Sequence, residues 1–233
     1  MKQFTKHFVL VAAIILCGTM NVWADNVSYV YYTLDGNKPV KHTGEKVDPI
    51  PLDNSFNAIG SVDGTWYVVN GKVTITHRIE VSSHAHIILA DNCELICEKG
   101  ITVMEACYLN IYGQSRNNGY LQVTSPEPGN AGIGGECRVQ PDEEDTPNDR
   151  WNCGEVNIHG GYLDVHGSDW SAGIGGGWMQ RSCKVTMYGG LVEAYGGQDG
   201  AGIGSGCFNQ RYEKAYLGED TGWTKIYGGS VIA

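Results

Sequence analysis

The sequence predicts an all-β fold, a parallel β-solenoid behind an N-terminal capping segment. The string Ala-Gly-Ile-Gly occurs at residues 131, 172 and 201, and self-similarity at this period is the signature of stacked coils. Around it recurs an aliphatic pair followed by a glycine turn: Leu109-x-Ile111-Tyr112-Gly113, Val156-x-Ile158-His159-Gly160-Gly161, Val185-x-Met187-Tyr188-Gly189-Gly190 and Thr224-x-Ile226-Tyr227-Gly228-Gly229. Ile158 and Met187 stand 29 residues apart, the same step that separates the strings at 172 and 201. Glycine supplies 33 of 233 residues, yet β-branched and aromatic residues fill the intervals, which suits many short strands joined by tight turns.

Residues 1–24 read as a secretory signal: Lys2 and Lys6, the apolar run Phe8 to Leu16, then Val22-Trp23-Ala24 before a mature start at Asp25. Cys17 invites a lipoprotein reading, but Leu16 before it is too large for that processing. Residues 25–64 lack the repeat frame. They carry alternating Val27, Tyr29 and Tyr31, the turn Asp35-Gly36 and the prolines Pro49 and Pro51. An open solenoid needs its first coil shielded, so this segment is read as the cap.

Residues 65–233 form the coils. Short runs follow one another at Tyr67–Val69, Val73–Thr76, Ile79–Val81, Ile87–Leu89, Leu95–Cys97 and Ile101–Val103. The gaps Asn70-Gly71, Asp91-Asn92 and Lys99-Gly100 are turn chemistry. A later coil divides into strands at Val156–His159, Tyr162–His166 and Ala172–Gly175. Period two turns Ile111, Val156, Ile158, Leu163, Val165, Ile174, Val185, Met187 and Ile203 inward. Inserts of unequal length follow the glycine strings at 136–153, 177–182 and 206–222, and the sequence stops part way through a coil, so the solenoid is expected to be C-terminally incomplete.

Removing Lys2 and Lys6 moves the formal charge from −10 to −12. Such a surface repels phosphate backbones, which argues against a nucleic-acid partner. No later stretch is long and apolar enough for a membrane span. Seven cysteines follow the signal, an odd count. Cys137 and Cys153 bracket the longest acidic insert, and a disulfide between them would clip that loop at its base; packing as small buried thiols is the alternative.

Aligned copies stack Tyr112, His159, Tyr188 and Tyr227 at the outward position before the corner, with His166 and Tyr195 stacked on the next strand. Coils lie about 4.8 Å apart, so these rings form a ladder. Flat aromatic faces suit sugar rings, and outward Asp164 and Glu193 can accept hydroxyl hydrogen bonds; a purely structural ladder is the competing reading. Asp142, Glu143, Glu144, Asp145 and Asp149 offer hard oxygen donors, but without EF-hand spacing. His84 and His86 face one side near His77, Cys93 and Cys97, without a CxxC or HExxH string, so no metal ligands are assigned. The glycine strings precede no helix and carry no phosphate-loop lysine.

The stretches Trp66-Tyr67-Val68-Val69-Asn70-Gly71, His86-Ile87-Ile88-Leu89-Ala90-Asp91 and Gly189-Gly190-Leu191-Val192-Glu193-Ala194 resemble the glycine-rich repeat proteins exported by gut Bacteroidales. They are similar also to carbohydrate-binding β-helix modules of polysaccharide-degrading bacteria. That resemblance implies a right-handed parallel β-helix, secreted or at the cell surface, that binds polysaccharide, with calcium as an accompanying ion but no required cofactor. The expected function is non-catalytic binding of an extended polysaccharide along one solenoid face. A passive stalk or adhesin spacer and a polysaccharide lyase or hydrolase are the alternatives. A lyase needs a positioned basic residue beside calcium carboxylates, and a hydrolase two carboxyls in distinct roles. Asp164 and Glu193 are equivalent positions on neighbouring coils, which disfavours an enzyme.

Overall fold

The computed structural model describes residues 26–137, 153–207 and 222–233. The signal segment 1–24, the acidic insert with Asp142 to Asp149, and residues 208–221 of the last insert lie outside them. Among the described residues every element is a strand, and no helix is long and apolar enough to cross a membrane.

Among the described residues three parallel sheets run along the stack, of seven, six and six strands. The first holds Ile50–Pro51, Thr65–Val69, His84–Leu89, Tyr108–Gly113, Glu155–Ile158, Lys184–Met187 and Thr224–Ile226 in spatial order. The second holds Lys72–Ile75, Glu94–Cys97, Tyr120–Thr124, Tyr162–His166, Leu191–Tyr195 and Ser230–Ile232. The third holds Ala58–Ile59, Ile79–Val81, Ile101–Val103, Ile133–Gly134, Ile174–Gly175 and Ile203–Gly204. Each strand pairs with its equivalent one coil away, so the chain is a parallel β-helix.

In-register pairing turns the alternating apolar residues into columns. Tyr67, Ile87, Ile111, Ile158 and Met187 form one, in register on the first sheet. Leu95, Leu121, Leu163 and Val192 form another on the second. Ile79, Ile101, Ile133 and Ile174 form the third. All are at 1% exposure or less except Tyr67, at 4%. Of the residues expected inside, Ile203 alone is only partly buried; it lies on the edge strand of its sheet, with no described coil stacked beyond it.

The corner between the first and second sheets needs a left-handed backbone in successive coils. Gly71, Asn92, Asn117, Gly161, Gly190 and Gly229 supply it, with φ between 57° and 94°, a conformation that glycine and asparagine adopt at least cost. The corner between the second and third sheets is braced by Arg78. Its Nε donates to Thr102 Oγ1 at 2.6 Å, Nη1 to Lys99 O at 2.9 Å and Ser125 Oγ at 3.1 Å, and Nη2 to Ala131 O at 3.0 Å. One side chain thus ties three successive coils.

The segment expected as a cap divides in two. Residues 50–59 are the first strands of the solenoid itself, pairing with Tyr67–Val68 and Glu80–Val81. Residues 26–47 instead lie across the outer face of the first sheet. There Val27–Ser28 pairs antiparallel with Lys46–Val47, and Tyr31–Asp35 forms a hairpin with Lys38–His42. Val30 N–H donates to Gly113 O at 3.0 Å, and Gln114 Nε2 donates to Ser28 O at 2.9 Å.

The cysteine pairing differs from the expectation. Cys153 is bonded to Cys183, with Cα atoms 4.5 Å apart, and Cys137 is a free thiol. The expected Cys137–Cys153 bond assumed that an insert begins and ends at one point on the coil. Cys137 ends a third-sheet turn, its N–H held by Asn130 Oδ1 at 2.7 Å. Cys153 sits at the entrance to the first sheet, beside the equivalent entrance of the next coil. Closing a loop with a sequence separation of 30 should stabilise the oxidised protein by about 3.7 kcal/mol. Replacing Cys153 and Cys183 with alanine should lower the unfolding free energy by that amount in chemical denaturation, and peptide mapping without reduction should recover the 153–183 pair with Cys137 open to alkylation. Recovery of a 137–153 peptide would refute this connectivity.

Candidate functional site

Two outer faces carry the expected site residues, and the fold treats them differently. On the first sheet Val68, Ile88 and Tyr112 are register partners. The column continues through His159, Tyr188 and Tyr227, whose N–H groups donate to Ile111, Ile158 and Met187 carbonyls. The rings stack as the sequence predicts: Tyr112 on His159 at 4.8 Å, His159 on Tyr188 at 4.7 Å, and Tyr188 on Tyr227 at 5.6 Å between centroids, none tilted by more than 16°.

This ladder is not an open surface along its length, which corrects the expectation for Tyr112 and His159. The N-terminal segment covers it: Tyr29 packs on Trp66 at 4.6 Å and edge-on to Tyr112 at 5.2 Å, and Tyr32 lies parallel to His159 at 6.5 Å. Tyr112 is 6% exposed and His159 9%, so neither presents a ring face to a ligand. Tyr188 and Tyr227, farther along the column, are half-buried.

The cover has an electrostatic consequence at His159. Tyr32 N–H donates to His159 Nδ1 at 3.1 Å, so Nδ1 must be an acceptor and a neutral ring carries its proton on Nε2. Burial, helped by the nearby His86, lowers the His159 pKa from 6.5 to about 4. Burial likewise raises the Tyr112 phenol well above its ordinary value.

His84 and His86 do face the same side, but in separate settings. His86 is stacked on Trp66 at 4.3 Å with Nδ1 3.0 Å from Tyr112 Oη, and burial lowers its pKa. His84 meets Asp63 and the Tyr108 ring. His77 Nε2 is 3.0 Å from Phe56 O. Cys93 and Cys97 are core residues, the Cys93 thiol pushed up to about 11 by burial. Among the described residues no three His, Cys, Asp or Glu side chains are grouped so as to hold a metal ion.

The second sheet gathers the remaining expected residues with three that the sequence reading missed. Its outward columns are Tyr120, Tyr162, Leu191; then Gln122, Asp164, Glu193; then Thr124, His166, Tyr195, each in register. Rings stand one coil apart on both sides of the carboxylates: Tyr120 and Tyr162 at 5.0 Å, His166 and Tyr195 at 4.9 Å. Tyr120 Oη donates to Asp164 Oδ2 at 2.9 Å, and Tyr162 Oη donates to Glu193 Oε2 at 3.0 Å, the same contact repeated one coil on. Asp164 also meets Gln122 Nε2 at 3.4 Å and His166 Nε2 at 2.8 Å. Burial and the bond to Asp164 push the Tyr120 phenol up to about 12, and the bond to Glu193 raises Tyr162, so both hydroxyls stay protonated donors. Tyr195 is 40% exposed, and the His166 side chain 44%. Tyr120, Tyr162 and Gln122 were legible in principle: each stands beside an inward Leu or Val of the repeat, at the period-two position that faces out.

A family model described as Beta helix repeat matches residues 156–178 and 185–207. These are two successive coils of the stack, and both contribute to the second-sheet face. No curated protein and no solved structure matches the chain.

The buried neutral His159 makes stability pH-dependent with a definite sign. The unfolded chain takes up this proton first, so the contribution is fully present above about pH 6.5 and is lost progressively as pH falls through about 4, by up to about 3 kcal/mol. Melting curves of the parent and of His159→Phe, which keeps the stack and cannot titrate, should diverge below pH 6.5, with the parent losing more. Parallel pH profiles would rule out a buried neutral imidazole.

Proposed function

We propose that this β-helix repeat protein is a non-catalytic, exported or surface-held binder of an extended polysaccharide, and that the second-sheet face carries the ligand. The observation that supports this reading most directly is the pair of ring steps flanking Asp164 and Glu193 on a face with no strand packed over it among the described residues. Equivalent groups recur at the strand spacing of about 4.8 Å, so modest stacking and hydrogen-bonding contacts add along one chain-like ligand. The signal-like N-terminus supports export.

The chemistry of the carboxylates argues against hydrolysis on this face. A glycosidase sets one carboxyl as acid and the other as base or nucleophile by giving them unlike surroundings. Asp164 and Glu193 are register partners that each accept from the tyrosine hydroxyl one coil before; Asp164 also meets Gln122 and His166, so it is their equivalent position in the repeat that argues against separate acid and base roles. The middle column places no lysine or arginine among its register partners Thr74, Ile96, Gln122, Asp164, Glu193 and Ile232 to serve as a lyase base.

Affinity electrophoresis against a polysaccharide panel tests the reading. Tyr162→Ala with Tyr195→Ala should weaken retention by the best ligand about tenfold, with unfolding free energy changed by no more than about 1 kcal/mol because these positions face out. Tyr112→Ala should instead lower stability and leave the affinity of the folded protein intact. A parent protein retained by no polysaccharide would leave the stalk reading in its place, and reducing-end release would restore the enzyme reading.

A further inference from the structure

The reading above leaves open which sugars the second-sheet face selects, and its charges bear on that choice. Asp164 and Glu193 are register partners on adjacent coils, so two carboxylates project from strands about 4.8 Å apart. Elsewhere on this face the lone lysine among the outward positions, Lys72, is already tied to Glu94 at 2.9 Å. Among the described residues no lysine or arginine meets the Asp164–Glu193 pair: Tyr120, Tyr162 and Gln122 are neutral donors, and His166, which pairs with Asp164 when protonated, does not reach Glu193. Each carboxylate oxygen accepts two hydrogen bonds, so Glu193, with a single tyrosine donor among the described residues, retains acceptor capacity.

An ammonium group placed between these columns would gain charge-assisted hydrogen bonds from the carboxylates and the negative faces of the flanking rings. A uronate would meet two like charges on a chain that is already strongly acidic. A neutral sugar would gain stacking and ordinary hydrogen bonds alone. We propose that the second-sheet face selects a glycan whose sugars carry free amino groups, with the Asp164–Glu193 pair as the ammonium site. The proposal rests on the polysaccharide-binding reading and narrows it to a ligand class.

The test uses two oligosaccharides of one backbone and length, fully deacetylated chitin and its fully N-acetylated counterpart, with polygalacturonate as the acidic comparison. Calorimetric titration is carried out in buffer acidic enough to charge the amines yet above the pH of about 4 at which His159 titrates. The deacetylated oligomer should bind about tenfold more tightly than the acetylated one, and added salt should erase the difference. Asp164→Asn with Glu193→Gln, checked for an unchanged melting temperature, should bring the two ligands to parity. Asp35→Asn with Glu45→Gln, on the exposed N-terminal hairpin region, removes the same charge elsewhere and should preserve the preference. Equal binding of the two oligomers, tighter binding of polygalacturonate, or an equal loss in both double variants overturns the amino-sugar assignment and leaves polysaccharide binding standing. If none of these ligands and no other polysaccharide binds, the underlying reading falls, and the assignment falls with it.

Discussion

In-register stacking of one coil on the next is the constraint from which the rest of this protein follows. Each coil contributes one residue to every column, so a side chain is judged by its neighbours above and below more than by those beside it in sequence. Buried Ile and Leu side chains contribute roughly 1.5–3 kcal/mol each, and columns such as Leu95, Leu121 and Leu163 repeat that contribution coil after coil. The same rule is severe where backbones approach. Gly134, Gly175 and Gly204 form a third-sheet column with φ from 133° to 156°, and a Cβ on Gly134 or Gly175 would collide with the carbonyl oxygen of the next glycine in the column. The repeated glycine string is therefore a packing requirement, and its resemblance to a phosphate-binding loop is incidental.

Stacking also generates two aromatic faces with different fates. On the first sheet the column begins as Val68 and Ile88 and continues as rings, and residues 26–47 lie over it. That arrangement converts outward positions into core and makes a titratable ring, His159, an acceptor for the Tyr32 N–H. On the second sheet no segment among the described residues covers the rings, and their hydroxyl groups are directed at carboxylates one coil away. An aromatic ladder is thus structural or available according to what lies over it.

The fold was legible because solenoid periodicity is local: glycine strings, turn dipeptides and alternating aliphatics announce coils within a few tens of residues. The stacking of Tyr112, His159, Tyr188 and Tyr227 was legible for the same reason, as was the shared face of Asp164 with Glu193 and of His166 with Tyr195. Tyr120 and Tyr162 were missed because the longer turn at 114–119 and the insert at 136–153 obscure the equivalence of those coils, although register makes them partners.

What the sequence by itself determined was the alternation of inward and outward residues in each coil, since period two and the glycine corners are properties of the chain at short range. Tertiary structure alone decided which outward residues reach solvent. The rings that cover Tyr112 and His159, those of Tyr29 and Tyr32, lie at least 80 residues upstream of the first of them, and the register of their segment on the sheet depends on contacts such as Val30 N–H to Gly113 O that no local pattern encodes. It decided the Cys153–Cys183 pair for a related reason: cysteines bond according to where an insert rejoins the stack, and that point is set by the rise of one coil over another.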